Sequence, residues 1–127
     1  MKGIKDPRGK LFYDYLRILK AKQPEFFVAE NVPGMISSKH IKDFLKIKKL
    51  FENCGYKVSY ELLNSWDYGV PQERKRVILV GYRDDLNIEF DFNNLTKCKS
   101  KLCLKDAIED LPKPVVAKEK NKTNVDT

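Results

Sequence analysis

Glu25-Phe26-Phe27-Val28-Ala29-Glu30, followed at once by Asn31-Val32-Pro33-Gly34, decides how this chain is read. Phe26 to Ala29 is a short, continuous apolar run stopped by a Pro-Gly turn, so it reads as a strand buried on both faces. Glu30 closes it. A carboxylate at the end of a buried strand carries a desolvation cost unless something there needs it. About forty residues on, Gln72-Glu73-Arg74-Lys75-Arg76 leads into a second apolar strand, Val77 to Val80. In an extended segment Gln72, Arg74 and Arg76 share one face, and Glu73 and Lys75 the other. An acid at one strand end and a fork of arginines entering another describe a site. On physics alone, a structural ion pair between Glu30 and Arg74 or Arg76 is an equal alternative.

Outward from this strand, helices and strands follow one another. Upstream, Leu11, Tyr15, Ile18 and Leu19 recur at helical spacing between Lys10 and Lys22, with Phe12 and Leu16 beside them, and Pro24 ends the helix. Asp6 is placed to cap it, with Pro7 at the first helical position. Downstream, Ser37 or Ser38 is placed to cap a helix over roughly 38–54. Its apolar face is Ile41, Phe44, Leu45, Ile47 and Leu50, with Phe51 and Cys54 near the end. Gly55 suits the left-handed position after a helix. Val58, Tyr60 and Leu62 alternate, which predicts a strand over 57–63. Asp67-Tyr68-Gly69-Val70-Pro71 is a turn, and Arg76 to Tyr82 the next strand. Leu102 to Leu111 predicts a short helix stopped by Pro112, and the polar residues 113–127 are expected to be disordered. The order helix, strand, helix, strand, strand is an α/β unit that amounts to half a sheet.

The chain has 127 residues, enough for one small domain, and a net charge of +7. The charge is compatible with a polyanionic partner, although lysine-rich faces are as often only solvated. No apolar run approaches the ~18 residues of a membrane span. The N-terminus Met1-Lys2-Gly3-Ile4-Lys5 lacks the apolar core of a signal peptide, so the expected location is the cytoplasm. Cys54, Cys98 and Cys103 have no metal-ligand spacing and are expected to be free thiols, Cys54 as a small apolar residue. His40, Lys39, Lys42, Lys46, Lys48 and Lys49 read as an exposed basic face, and Trp66 and Tyr68 as core or turn packing.

Together these segments resemble the DNA cytosine-5 methyltransferases. Asp6-Pro7-Arg8-Gly9-Lys10-Leu11-Phe12 is similar to the family's fifth motif, and Glu30-Asn31-Val32 to the sixth. Asn64 through Arg76 resembles the seventh and eighth, and Gly81-Tyr82-Arg83-Asp84-Asp85-Leu86-Asn87 continues the match. Leu104 to Pro112 resembles the segment leading toward target recognition. In this family a cysteine thiolate adds to C6 of cytosine, and C5 then attacks the methyl group of S-adenosylmethionine. The resemblance implies that Glu30 donates or shares a proton at N3 as charge builds on the ring. It implies that Arg76 holds O2 and that Arg74 helps position the nucleotide and the loop. The family flips its target base into such a pocket. Asn31 is expected to shape the nucleophile's loop through backbone contacts, Arg8 to stabilise a loop, and Gln72 to support the arginines. Leu11 matches a position against the methyl donor, with plain helix core as an equal alternative. No metal is implied.

The fold implied is a partial Rossmann-like methyltransferase fold. It is the C-terminal half of the catalytic sheet, strands 5-7-6 with the last strand antiparallel and two helices. Residues 1–95 are expected to belong to the catalytic domain, and 96–127 to begin a linker and target-recognition region. The sequence contains neither the Pro-Cys-Gln nucleophile loop nor the glycine-rich cofactor loop. The expectation is therefore a piece of a restriction–modification enzyme acting on DNA, inactive by itself. It would be a split subunit, a truncated gene product or a trimmed chain. The strand 26–30 edge is expected to pair with a complementary methyltransferase fragment or a second copy. Two other readings stay open: a non-catalytic basic nucleic-acid-binding or assembly module, and a piece of a transfer-RNA cytosine-5 methyltransferase.

Overall fold

The computed structural model describes residues 7–112, with side chains from Phe12 onward. Helix α1 (Pro7–Lys22) leads into strand β1 (Phe26–Asn31), then helix α2 (Ile41–Glu52), strand β2 (Tyr56–Asn64), strand β3 (Lys75–Arg83) and a one-turn helix α3 (Leu104–Ile108). The sheet order is β1-β3-β2, with β3 antiparallel to both neighbours. This is the expected 5-7-6 arrangement. The proposed cap Asp6 and the tail 113–127 lie outside the described residues.

Both helices pack on one face of the sheet. There Phe27 of β1, Val77 and Leu79 of β3, and Tyr56 and Val58 of β2 meet Leu16 and Leu19 of α1 and Phe44 and Phe51 of α2. Phe27 is the hub. Its ring lies 4.9 Å from that of Phe51, 5.2 Å from Tyr56 and 5.9 Å from Tyr15. The ring also covers Gly81, the residue paired with Phe27 across the strands, where an added Cβ would overlap it.

Several expectations are corrected. β1 is not buried on both faces: Phe27 is buried, while Phe26 and Val28 are 53% and 63% exposed. The cause is topological, since α1 and α2 share a face and leave the other side of β1 bare. Ile18, Leu45 and Leu50 are also exposed, because each helix buries a stripe narrower than its apolar content. Neither Ser37 nor Ser38 caps α2, whose N-cap is His40 without a side-chain bond. Instead Pro33–Ile36 forms a 3-10 turn, and the Ser37 hydroxyl donates to the Gly34 carbonyl at 2.8 Å. Gly55 does take a left-handed conformation, φ 90°, after α2.

The entry into β1 is pinned from three directions. Gln23 sits at φ 43°, and its amide donates to the Leu19 and Cys54 carbonyls. The Tyr56 hydroxyl donates to Pro24 O at 2.9 Å, and Arg83 Nη1 donates to Gln23 O at 3.1 Å. On the open side of β1, the Tyr15 hydroxyl donates to Val28 O at 3.2 Å. Val28 O therefore points away from β3, and β1 is a sheet edge.

Two predictions follow from this packing. Gly81→Ala forces a methyl group into the Phe27 ring and is expected to cost about 1–3 kcal/mol, measured as a lower urea midpoint with unchanged slope. The second concerns acid. Salt bridges or hydrogen bonds from Lys48, Lys101, Arg83 and the Cys103 backbone hold the carboxyls of Glu52, Asp67, Asp85 and Asp106 below the ordinary carboxylate range. The unfolded chain binds protons more readily at these groups, so their contribution is complete above that range and disappears as pH falls through the lowered values. The urea midpoint should fall from about pH 5 to about pH 3. A flat profile there would contradict the pairing.

Candidate active site

The candidate site lies where β1 ends and β3 begins, on the sheet face opposite α1 and α2. Period-2 alternation puts Phe26, Val28 and Glu30 on this face of β1, and Arg76, Ile78, Val80 and Tyr82 on the same face of β3. Glu30 is paired with Ile78 across the strands, so Arg76 stands diagonally opposite it. Arg76 Nε lies 2.6 Å from Glu30 Oε1, and Arg74 Nη2 reaches the same oxygen at 4.0 Å. Arg76 Nη1 donates to Lys75 O at 2.8 Å, which orients the guanidinium and leaves further N–H groups for an acceptor.

The Glu30 side chain is 50% exposed and that of Arg76 25%. An ion pair this open contributes at most about 1 kcal/mol. It stabilises the fold little, and the core on the opposite face does not need it. The arrangement is a carboxylate and two guanidinium groups open to solvent at a strand terminus, the place where sheet proteins of this type bind ligands.

The loop from β2 to β3 is shaped by residues that sequence reasoning did not single out. Asn64 ends β2, and its Oδ1 accepts from Trp66 N at 3.3 Å and from Arg74 N at 3.0 Å. Ser65 N donates to Arg74 O at 3.1 Å, and Ser65 Oγ to Gln72 O at 2.8 Å. Asparagine just before a turn was the available signal. Its partner Arg74 lies ten residues away, and no local pattern reports that.

Asn31 Oδ1 accepts from Val32 N at 2.9 Å, so Asn31 shapes the exit from β1. Gln72 is exposed, and among the described residues no hydrogen bond joins its side chain to Glu30 or either arginine. The expected alternation fails there because β3 starts only at Lys75. Arg8 and Leu11 belong to α1, and their side chains lie outside the described residues. Trp66 is a packing residue, its Nε1 donating to Leu102 O at 2.7 Å. Cys54 is buried and Cys98 and Cys103 are exposed, all as free thiols.

A family model for C-5 cytosine-specific DNA methylase matches residues 1–127. The chain belongs to this family. It is 52% identical over 124 residues to the type II methyltransferase M.MthTI of Methanothermobacter thermautotrophicus, covering 98% of this chain and 37% of that protein. It is 49% identical over 129 residues to the type II methyltransferase M.NgoPII of Neisseria gonorrhoeae, covering 99% and 38%. The chain thus spans less than two fifths of these curated relatives. Among solved structures, one described as a DNA modification methyltransferase encoded within an E. coli prophage superposes with a TM-score of 0.74. That match is 28% identical and covers 88% of this chain and 32% of the other. The α/β fold is therefore that of a methyltransferase, and the acid and arginines belong to a cytosine-methylase chain. No helix among the described residues is long and apolar enough to cross a membrane.

The direct pairing is testable without any substrate. A double-mutant cycle of Glu30→Gln and Arg76→Gln, read by urea denaturation, should give a coupling no larger than about 1 kcal/mol. A coupling of several kcal/mol would make the pair a structural one.

Proposed function

We propose that this chain provides the base-holding part of a DNA cytosine-5 methyltransferase of restriction–modification type. The observation that carries the reading is the cluster of Glu30, Arg74 and Arg76 on the open sheet face, 2.6 Å apart at its closest. A cytosine turned out of the duplex offers N3 and O2 side by side on one edge. The carboxyl of Glu30 shares a proton at N3 and neutralises charge that grows on the ring during addition at C6. Arg76, fixed by Glu30 and by Lys75 O, donates to O2. Arg74 reaches the same carboxylate and limits its rotation. Exposure of the pair supports this reading over a structural ion pair.

The methyl group in this chemistry comes from S-adenosylmethionine. Leu11, the one position that the resemblance sets against it, has its side chain outside the described residues. The groove beside α1, lined by Tyr13, Leu16, Arg17, Lys20 and Ala21, has no carboxylate to take ribose hydroxyls. The sequence also has no Pro-Cys pair for the nucleophile. Both functions fall to other methyltransferase segments, which we assign to the bare edge and face of β1. Exposed Phe26 and Val28 there offer apolar contact along a sheet edge that no other described strand covers.

Complementation tests the reading. The 127-residue chain is mixed with separately produced upstream and downstream segments of a family enzyme. Labelled methyl transfer to duplex DNA is then followed. Activity is expected only from the full mixture, and Glu30→Gln should reduce it by a factor of about 100 or more. Transfer by this chain alone, or an active Glu30→Gln mixture, would refute the assignment.

A further inference from the structure

The strongest feature outside the Glu30 cluster is a clasp between the β2–β3 loop and the segment 97–102. Asp67 lies in the 3-10 turn Ser65–Tyr68. Its Oδ1 is 3.2 Å from Lys101 Nζ and its Oδ2 is 3.6 Å from Lys97 Nζ. Its backbone carbonyl accepts from Cys98 N at 2.8 Å. Beside it, Trp66 donates to Leu102 O, and the Lys101 ammonium sits 4.5 Å from the centroid of the Trp66 ring. Five contacts therefore fix one short exposed segment on a single turn.

The same turn is tied to the arginines. Asn64 Oδ1 receives N–H groups from both Trp66 and Arg74, so one side-chain oxygen joins the clasped residue to the site residue. Ser65 adds two bonds, to Arg74 O and Gln72 O. From Lys97 and Lys101 ion pairs lead to Asp67, its peptide bond leads to Trp66, and hydrogen bonds at Asn64 Oδ1 lead on to Arg74, whose guanidinium lies 4.0 Å from Glu30.

We propose that Asp67 and Asn64 are positioning residues that couple the segment 97–102 to Arg74, so that displacement of this segment loosens the arginine loop. The functional meaning rests on the base-holding reading above. The test uses no methyl transfer, so the two can fail separately.

The experiment is amide hydrogen exchange by NMR on the 127-residue chain. In Asp67→Ala the Cys98 and Arg74 amides should each exchange about fivefold faster, and those of Val77 and Leu79 should not change. Asp67→Glu should restore most of the protection. In Asn64→Ala the Arg74 amide should exchange about fivefold faster, and Cys98 should follow it in the same direction because coupling is reciprocal. An Arg74 amide that ignores Asp67→Ala overturns the coupling, whether or not Cys98 responds. If Asp67→Ala also releases the core amides, salt at about 0.5 M on the unmodified chain screens the lysine pairs and decides. Faster exchange at both Cys98 and Arg74 supports the proposal, and an unmoved Arg74 overturns it.

Discussion

A phenylalanine ring lying over a glycine sets the geometry of this protein. Phe27 needs the space that Gly81 leaves, and the two are paired across β1 and β3. That pairing fixes the register. With Phe27 opposite Gly81, Glu30 falls opposite Ile78, one diagonal step from Arg76. A slip of one residue would turn Phe27 out to solvent and drive Glu30 toward Val77 and Leu79. The aromatic cluster of Tyr15, Phe51 and Tyr56 around Phe27 resists such a slip. The polar face inherits its alignment from the packed face, so the charged cluster needs no buried anchor of its own.

Much of this was legible in the sequence, for identifiable reasons. Strand β1 announced itself as an apolar run before Pro-Gly, and Gly55 marked the end of α2 through its backbone freedom. The meeting of Glu30 with Arg74 and Arg76 was legible because charge at a strand terminus stands out against apolar neighbours. What escaped was set by distance. The bare face of β1 depends on where two helices settle, and periodicity within a four-residue apolar run cannot report that. The cap of α2 moved because Pro33 and Gly34 drew Ser37 into a turn of its own. Asn64 meets Arg74 ten positions away and Asp67 meets Lys97 thirty away, and no local pattern reports contacts at such distances.

Charge in this chain is almost wholly a surface matter. Among the described residues no polar or charged side chain is buried. Pairs such as Asp14 with Arg17 and Asp43 with Lys46 lie on exposed helix faces, where they contribute little. An excess of +7 favours long-range attraction of anions. Among the described residues, the Glu30 cluster and the Asp67 clasp gather opposite charges from different parts of the chain.

The hydroxyl of Tyr15 gives the open edge of β1 a particular character. It already occupies the Val28 carbonyl, the acceptor that an incoming strand would need. A carbonyl oxygen carries two lone pairs, so the tyrosine takes one of them and lowers the gain that any further donor finds at this point of the edge. The side chain that helps pack Phe27 into the core thus also covers a backbone acceptor on the rim.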